Sequence, residues 1–262
     1  FPVSAFPWPD PEQPAMFRHV AGEELRPPGG TSYYNSREAV VVCGIVAQLQ
    51  RAGAKATDIG IITPYAAQRS EVYRRLREAT DVADAAEVEV ANIDGYQGRE
   101  KVFIVISCVR SNQRQEVGFF SRANRLNVAL TRARSGLVIV GNIDTFKKHT
   151  HWRSLARSYQ QHGLMRTGSP VAPGAFSVRL PEPFTEAEDA TLDAVLQTET
   201  PVAAVAALSL PMAEGYDVPA ETAADEDRVA AFCVEFQRVA DSLVAEGQGD
   251  SLALALALLH AR

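Results

Sequence analysis

The sequence feature that most limits the fold is an apolar run at residues 102–109, which only Ser107 interrupts. A run of this length without charge is typical of a strand buried on both faces. Shorter, mainly apolar runs occur at residues 15–20, 59–63, 88–93 and 136–141. Helical spacing of apolar residues occurs at about 36–53, 66–78, 126–133 and 152–162. This alternation predicts an α/β fold, a parallel sheet flanked by helices with 102–109 at its centre.

Composition and charge divide the chain into three segments. Residues 1–14 hold five prolines and are predicted to form an extended connector. Residues 1–166 carry a net charge of +6, whereas residues 167–262 carry −12 and are rich in alanine. We therefore expect a folded domain at 15–166, followed by an acidic tail at 167–262 that is largely flexible with transient helices. The alternative for the tail is a small helical element that docks on a protein partner.

Composition also argues against several classes of protein. No run of 18 or more apolar residues is present, so we expect no membrane-spanning segment and no membrane partner. The first residues lack a methionine and a basic segment, so they do not resemble a signal peptide and look like a cut from something longer. The cysteines form no C-x-x-C pair and the histidines no clear ligand spacing, so no metal site is expected. A cytoplasmic location is expected, with the nucleus as the alternative.

Two polar segments interrupt the apolar pattern, at residues 94–100 and 125–134. The first reads Asp-Gly-Tyr-Gln-Gly-Arg-Glu, and the second carries three arginines. Loops that hold nucleotide phosphate and sugar need such residues, whereas a purely structural loop rarely does. Residues 94–100 directly follow a predicted strand, and ligands of parallel sheets bind at the carboxyl ends of strands. We therefore predict that the two segments form half of an ATP site.

The other half of that site is not visible in the sequence. The motif G-x-x-x-x-G-K-[ST], whose backbone cradles phosphates, does not occur. No acidic cluster follows an apolar strand in a position suited to hold magnesium. We expect that the chain alone neither binds nor hydrolyses ATP well, and that it acts on a nucleotide held elsewhere.

Within the two segments, Arg132 is the first candidate for a catalytic role. It follows Thr131 on a predicted short helix that faces the same sheet edge as Gln97. An arginine presented from a second lobe can neutralise charge on a transferred phosphoryl group. Gly98 lets backbone approach a ligand, and Glu100 can accept a hydrogen bond from a ribose hydroxyl. The alternatives are a surface arginine paired with an acid, and a simple turn with a helix N-cap at 97–100.

A second set of residues suits the backbone of a nucleic-acid strand. Thr63 and Pro64 lie where a predicted strand leads into a helix, and a helix N-terminus beside a hydroxyl favours phosphate. Thr63 as a plain N-cap is the alternative. A basic rim is predicted from Arg110, Arg114, Arg122 and Arg125. Such a rim can follow a single strand, although charged runs are commonly solvated surface.

Taken together, several segments resemble the second RecA-like domain of superfamily-one helicases, and most of all the regulator-of-nonsense-transcripts group. The segments lie at residues 30–35, 60–70, 88–100, 109–112, 125–134 and 140–142. They occur in the family's order and with similar gaps, over about residues 14–165. The resemblance does not extend to the tail.

The resemblance implies a RecA-like parallel sheet without its own P-loop, and ATP bound between two RecA-like lobes. The first lobe supplies the P-loop and the acids for Mg²⁺, so ATP and Mg²⁺ are held mainly outside this chain. Gln97, Gly98 and Glu100 resemble the motif that touches phosphate and ribose. Arg132 matches an arginine finger of the family. The implied activity is ATP-dependent movement along single-stranded RNA or DNA in the 5′ to 3′ direction.

The resemblance also assigns a path to the strand. Thr63, with Pro64 beside it, resembles a position that follows the nucleic-acid backbone. Asn92 and Asp94, in the segment 92–95, resemble further positions of this kind. Arg110 and Arg125 extend the track in our prediction. The alternative function is a non-catalytic RecA-like module that docks nucleic acid or protein.

Two positions depart from the family's pattern. Val102 stands where the family usually has aspartate, and Asn124 stands where it usually has a first arginine before Arg125. Both departures weaken an expected contact, either to the other lobe or to nucleic acid. Neither changes Arg132 or Glu100.

Overall fold

The computed structural model describes residues 5–96 and 98–169, and only the main chain of Asn124. Its centre is a six-stranded sheet in which every pair of neighbouring strands is parallel. The strands are β1 (Ala15–His19), β2 (Ile59–Ile62), β3 (Glu89–Ala91), β4 (Lys101–Ser107), β5 (Ala133–Gly141) and β6 (Met165–Thr167). Their order in the sheet is β3-β2-β4-β5-β1-β6. The predicted α/β class, RecA-like with a central β4, is confirmed.

Five α-helices flank the sheet. They are α1 (Ser36–Arg51), α2 (Ala66–Glu78), α3 (Ala123–Leu130), α4 (Ile143–Phe146) and α5 (Thr150–Gln161). Short 3₁₀ turns occur at Ala56–Asp58, Ala85–Glu87, Asp94–Tyr96 and Gly118–Ser121. Asn35 caps α1, because its side chain accepts a hydrogen bond from the main-chain N–H of Glu38. Gly53, with φ of 103°, adopts a positive φ just beyond the end of α1.

Helices pack on both faces of the sheet, because alternate residues of a strand point in opposite directions. On one face, Val105 and Val138 are buried in a cluster with apolar residues of α1 and α2. On the opposite face, Phe17 of β1 meets Tyr159 of α5 edge to face, with ring centroids 6.3 Å apart. The central strands are therefore buried on both sides, which explains their unbroken apolar sequence.

The structure corrects the predicted helix at 126–133. Helix α3 ends at Leu130, and Thr131 is its C-cap, with the main-chain N–H donating to Asn127 O at 3.0 Å. Ala133 already belongs to β5, where it pairs with Lys101. Arg132 therefore lies in the turn between α3 and β5, and its predicted place on a helix is wrong. The β-branched Thr131 and the sheet register end the helix before the apolar pattern does.

The sequence patterns missed two small elements, α4 and β6. Four and three residues are too few to show a helical or a strand period. Strand β6 exists because it pairs with β1, with Phe17 opposite Met165, which is a tertiary contact. No helix among the described residues is both long and apolar enough to cross a membrane. The predictions for the tail concern residues 170–262, which lie outside the described part.

Candidate functional site

The segment at 92–100 runs from the carboxyl ends of the parallel strands to their amino ends. We call these two ends of the sheet the carboxyl edge and the amino edge. Asn92 follows the carboxyl end of β3, while Glu100 precedes the amino end of β4. Tyr96 fixes the crossing, since its ring is buried and its hydroxyl donates to Glu89 O at 3.2 Å. A Cβ atom at Gly60 would collide with that hydroxyl, so the crossing needs glycine on β2.

This crossing separates residues that the sequence placed together. Asn92 and Asp94 are exposed at the carboxyl edge, whereas Gly98 and Glu100 are exposed near the amino edge. The expectation that 94–100 as a whole lies at the carboxyl ends of the strands is therefore wrong. Gln97 lies outside the described residues.

Arg132 lies at the amino edge, beside the end of the 92–100 segment. Its main-chain oxygen accepts a hydrogen bond from the N–H of Lys101 at 3.1 Å, so it sits directly next to the residue that follows Glu100. Its Nε donates to Val128 O at 3.0 Å, and its Nη2 donates to the Thr131 hydroxyl at 2.9 Å. Arg132 and the 98–100 segment thus lie at one edge, but this is the amino edge and not the predicted carboxyl ends of the strands.

No carboxylate of the described residues is bound to the guanidinium of Arg132. Burial lowers its pKa, and the charge of the nearby Glu100 raises it in part, so the group stays a cation at neutral pH. Acidic side chains of the described residues, such as Glu89 and Glu24, form ion pairs with cations other than Arg132. The alternative of an arginine paired with a nearby acid is not what the structure shows. The oxygens that hold Arg132 are neutral, so an anion can compete for its N–H groups.

Gly98 leaves the main chain open at the same edge. It has φ of 70°, the left-handed region in which glycine is favoured, and no atom lies within 4 Å of where its Cβ would be. The side chain of Arg99 is already engaged in an ion pair, because its Nη2 lies 2.7 Å from the Glu89 carboxylate. The exposed groups available to a ligand are therefore the Gly98 main chain and the Glu100 carboxylate.

The carboxyl edge is instead built around a buried polar network centred on Glu38 of α1. Its Oε2 accepts hydrogen bonds from the Ser107 hydroxyl and from the Val109 N–H, both at 2.8 Å. Gln68 of α2 donates to the Ser107 Oγ at 3.0 Å and accepts from the Asn35 N–H at 2.7 Å. The network ties α1, α2 and the end of β4 together.

Burial dominates the chemistry of Glu38. It raises the pKa of the carboxyl to about 8, although the hydrogen bonds from Val109 and Ser107 lower it in part. Val109 has φ of 70°, which is unusual for a β-branched residue. Because Glu38 binds its N–H and Asn35 Nδ2 donates to its carbonyl at 3.2 Å, the network holds the turn that leads into Arg110.

Arg110 departs from the predicted exposed rim. Only 5% of the residue is exposed, and its guanidinium pairs with Glu24 at 2.9 Å and with Glu116 at 3.2 Å. It also lies over the ring of Tyr33, 4.5 Å from the centroid. Burial alone lowers its pKa, but the bonds to Glu24 outweigh this and the pKa is raised. The exposed position predicted for it is wrong, and a direct contact with nucleic acid stays a prediction.

The other residues that were predicted to contact nucleic acid lie at the carboxyl edge or beside it. Thr63 follows β2, and its hydroxyl is buried without a hydrogen-bond partner in the described part of the chain. It is not the N-cap of α2, which is Tyr65 and has no side-chain cap of its own. Pro64 is half-buried beside it. Arg125, in α3, has its guanidinium carbon 3.8 Å from the centroid of the Phe119 ring.

The residues that sequence reasoning missed are the buried polar ones. Glu38 reads in the sequence as an ordinary acid in the first turn of a helix, and Gln68 as a polar residue of an amphipathic helix. Their partners lie 69 and 39 positions away, so no local pattern links them. The interruption of the apolar run by Ser107 was the one available signal.

Comparison with known proteins gives a consistent result. The family model described as "AAA domain" matches residues 3–144. The chain is 51% identical over 152 residues to "Regulator of nonsense transcripts 1 homolog" of Neurospora crassa, which covers 57% of this chain and 14% of that protein. It is 41% identical over 170 residues to "ATP-dependent helicase NAM7" of Saccharomyces cerevisiae, which covers 64% of this chain and 18% of that protein.

A third relative, "ATP-dependent helicase upf1" of Schizosaccharomyces pombe, is 38% identical over 182 residues, with 68% of this chain and 20% of that protein covered. The chain thus spans a fifth or less of the length of these three relatives. The family model covers β1 to β5, whereas β6 lies beyond residue 144.

Proposed function

Since the chain belongs to the AAA domain family, and within it to superfamily-one helicases near the regulators of nonsense transcripts, we propose that it is the C-terminal RecA-like lobe of an ATP-dependent helicase. In this proposal residues 15–166 form the lobe, 167–262 form an acidic tail for a protein partner, and 1–14 lead into the lobe; the prediction of a purely extended connector is wrong at Phe6 and Trp8, which pack against the core. The location that fits this role is the cytoplasm, with the nucleus as the alternative.

The observation that carries the proposal is the state of Arg132 at the amino edge. Its guanidinium is charged and half-buried, and among the described residues its hydrogen bonds go to neutral oxygens, next to the open main chain of Gly98. This is what an arginine finger needs, since it must exchange its hydrogen bonds for a developing anion without first leaving a carboxylate. A structural arginine, such as Arg110, has its acids in place already.

These residues fit ATP with Mg²⁺ supplied mainly by another lobe of the same protein. When bound there, ATP supplies a phosphoryl group whose transfer to water releases free energy. Arg132 neutralises negative charge at the transferred group, Glu100 accepts a hydrogen bond from a ribose hydroxyl, and the Gly98 main chain approaches phosphate. Gln97 belongs to the same segment by sequence. This chain alone is expected to lack turnover.

The carboxyl edge is the proposed track for a single strand of RNA or DNA. Thr63, Pro64, Asn92 and Asp94 are placed there, and Arg110 holds the neighbouring turn. Arg125 contributes charge near Phe119. The proposed ATP contacts and nucleic-acid contacts lie at opposite ends of the same β-strands. A rigid sheet can therefore link nucleotide-driven lobe closure to movement of the nucleic acid. We propose the 5′ to 3′ direction on the strength of the family likeness.

A second candidate function is a non-catalytic RecA-like module that docks nucleic acid or protein. The strongly built carboxyl edge would serve such a module equally well. The two functions differ in what they require of Arg132, because a docking module has no use for a finger.

The test is Arg132→Ala in the full-length protein that carries this chain with its P-loop lobe. We expect nucleic-acid-stimulated ATP turnover to fall by about 10³-fold, since the finger acts on transition-state charge, while nucleotide affinity changes little. Steady-state turnover and equilibrium binding of a fluorescent ATP analogue measure the two effects. Arg134→Ala, two positions away and exposed, is the matched control. Near-normal turnover in Arg132→Ala would favour the docking module.

A further inference from the structure

Near the start of the described chain, residues 6–8 form a small apolar anchor at the amino edge of the sheet. Phe6 is 3% exposed and belongs to the core cluster on the α1 face. The Trp8 ring lies tilted against the Phe6 ring, with ring centroids 4.5 Å apart. The main-chain N–H of Trp8 donates a hydrogen bond to Phe6 O at 2.8 Å. The anchor is thus packed onto the domain although it lies in the proline-rich segment.

Trp8 fits over a glycine of β5. A Cβ atom at Gly136 would lie 2.8 Å from both Cζ2 and Cη2 of Trp8, and 2.9 Å from Cδ1 of Phe103. Any side chain at 136 would force these aromatic rings to move, because real Cβ contacts are longer. Trp8, Gly136 and Phe103 therefore form one tightly packed layer across β4 and β5.

This layer lies at one end of a β-bulge, and Arg132 lies directly before the other end. In the register of β4 with β5, Lys101 pairs with Ala133, whereas Phe103 pairs with Gly136. Strand β5 therefore holds one residue more than β4 over this stretch. The main-chain oxygen of Arg132 accepts from the N–H of Lys101 at 3.1 Å, directly at the start of the bulge. Bulges of this kind redirect the residues beside them and recur next to functional sites.

From this arrangement we propose that Trp8 is a positioning residue for Arg132. Its ring fills the space over Gly136 and fixes the inner end of the bulge, so that the turn at the outer end presents Arg132 in one orientation. Trp8 itself touches no reacting group in this scheme. The inference rests on the proposed function, since it assumes that Arg132 acts on a phosphoryl group.

A role through Arg132 has a kinetic signature that a purely structural role lacks. The finger stabilises the transition state and contributes little to ground-state binding, so loosening it lowers kcat and leaves KM for ATP unchanged. In the full-length protein, we expect Trp8→Ala to lower kcat by about tenfold, within the roughly 10²-fold that a 1 Å misplacement can cost. Trp8→Phe, which keeps an aromatic ring over Gly136, is expected to restore most of the rate.

A double-mutant cycle tests whether the effect passes through the finger. In an Arg132→Lys background, Trp8→Ala is expected to lower kcat by less than about twofold, because residues that act as one unit are not additive. Phe146→Leu is the control for lost packing, since Phe146 stacks on Trp152 beyond the carboxyl end of β5. It should lower the Tm as Trp8→Ala does while leaving kcat unchanged. Should Trp8→Ala fail to fold, Trp8→Leu carries the same comparison.

The outcomes separate this inference from the proposed function. If Arg132→Ala abolishes turnover but Trp8→Ala leaves kcat unchanged, or lowers it only as much as Phe146→Leu does, then Trp8 is not a positioning residue. A full tenfold loss in the Arg132→Lys background also overturns the inference. If Arg132→Ala retains turnover, the proposed finger itself fails, whatever Trp8→Ala does.

Discussion

The two edges of one sheet are built in opposite ways. At the carboxyl edge, Glu38, Gln68 and Arg110 are buried and bound to several partners each. At the amino edge, Glu100 is exposed, Gly98 leaves open main chain, and the hydrogen bonds of the Arg132 guanidinium within the described region go to neutral oxygens. The difference indicates that one edge is a fixed scaffold, whereas the other holds groups that can change partners.

The energetics of the hydrogen bonds explain why this division is useful. A buried network loses much when one member is removed, because the remaining donors and acceptors stay out of water without partners. A half-exposed guanidinium that leaves a carbonyl and a hydroxyl for a charged ligand gains a stronger, charge-assisted bond. Under the proposed function, the carboxyl edge can therefore hold its shape while the amino edge responds to a nucleotide.

The largest expected effect on stability comes from removing Glu38. Glu38→Ala leaves the Val109 N–H and the Ser107 hydroxyl buried without their acceptor. Each such loss costs about 1–3 kcal/mol, so we expect the free energy of unfolding to fall by about 3 kcal/mol. Chemical denaturation followed by circular dichroism measures this change.

The matching change at the other edge is Arg132→Ala. Its side chain makes no bond to a charged group among the described residues, so its loss should change the free energy of unfolding by no more than about 0.5 kcal/mol. Equal destabilisation by the two variants would remove the distinction between a scaffold edge and a reactive edge.

A second effect, visible only as pH changes, comes from the ionisation of Glu38. Burial raises its pKa in the folded protein to about 8, above its ordinary value of 4.5. The folded state therefore binds the proton more tightly, and stability is lost as the pH rises from about 4.5 through about 8. Glu38→Gln keeps an acceptor for Val109 but cannot ionise.

We expect the wild-type protein to lose stability relative to Glu38→Gln by about 1.4 kcal/mol for each pH unit in this window. Melting temperatures of both proteins at pH 6, 7, 8 and 9 give the difference, in which the titration of other groups cancels. A difference that stays constant with pH would mean that Glu38 is ionised throughout and that the buried network carries a charge.

The sequence was most informative where local physics decides the structure. Helix α2 begins and ends at the predicted residues, Ala66 and Glu78, because its helical period is uninterrupted. The apolar run at 102–109 correctly predicted the central strand β4. Motifs with several fixed residues predicted that Arg132 lies near the segment ending at Glu100; the two are neighbours, although at the amino edge, and their role stays a prediction.

What the sequence could not show depends on tertiary contacts. The residues of 92–100 are adjacent in sequence, yet Tyr96 pins their crossing beneath Gly60 and separates Asn92 from Glu100. Arg110 looked like part of a basic rim because its acids, Glu24 and Glu116, come from separate parts of the chain. Charge in a sequence does not reveal whether a partner folds onto it.

Thr63 differs from the rest of the carboxyl edge. Its hydroxyl is buried and makes no hydrogen bond in the described region, next to the N-terminus of α2, whose N-cap residue Tyr65 makes no side-chain cap bond. Thr63→Val replaces the hydroxyl by a methyl group of similar size, so the free energy of unfolding should rise by about 1 kcal/mol. We expect affinity for a single strand to fall by about fivefold, the value of one hydrogen bond.

Both quantities are needed, because they separate two reasons for an unsatisfied group. Thermal melting gives the stability, and fluorescence anisotropy with a labelled oligonucleotide at fixed salt gives the affinity. A gain in stability with a loss of affinity means that the hydroxyl is held ready for phosphate at some cost to the fold. A gain in stability with unchanged affinity would instead make Thr63 a core position and move the strand track toward Asn92 and Asp94.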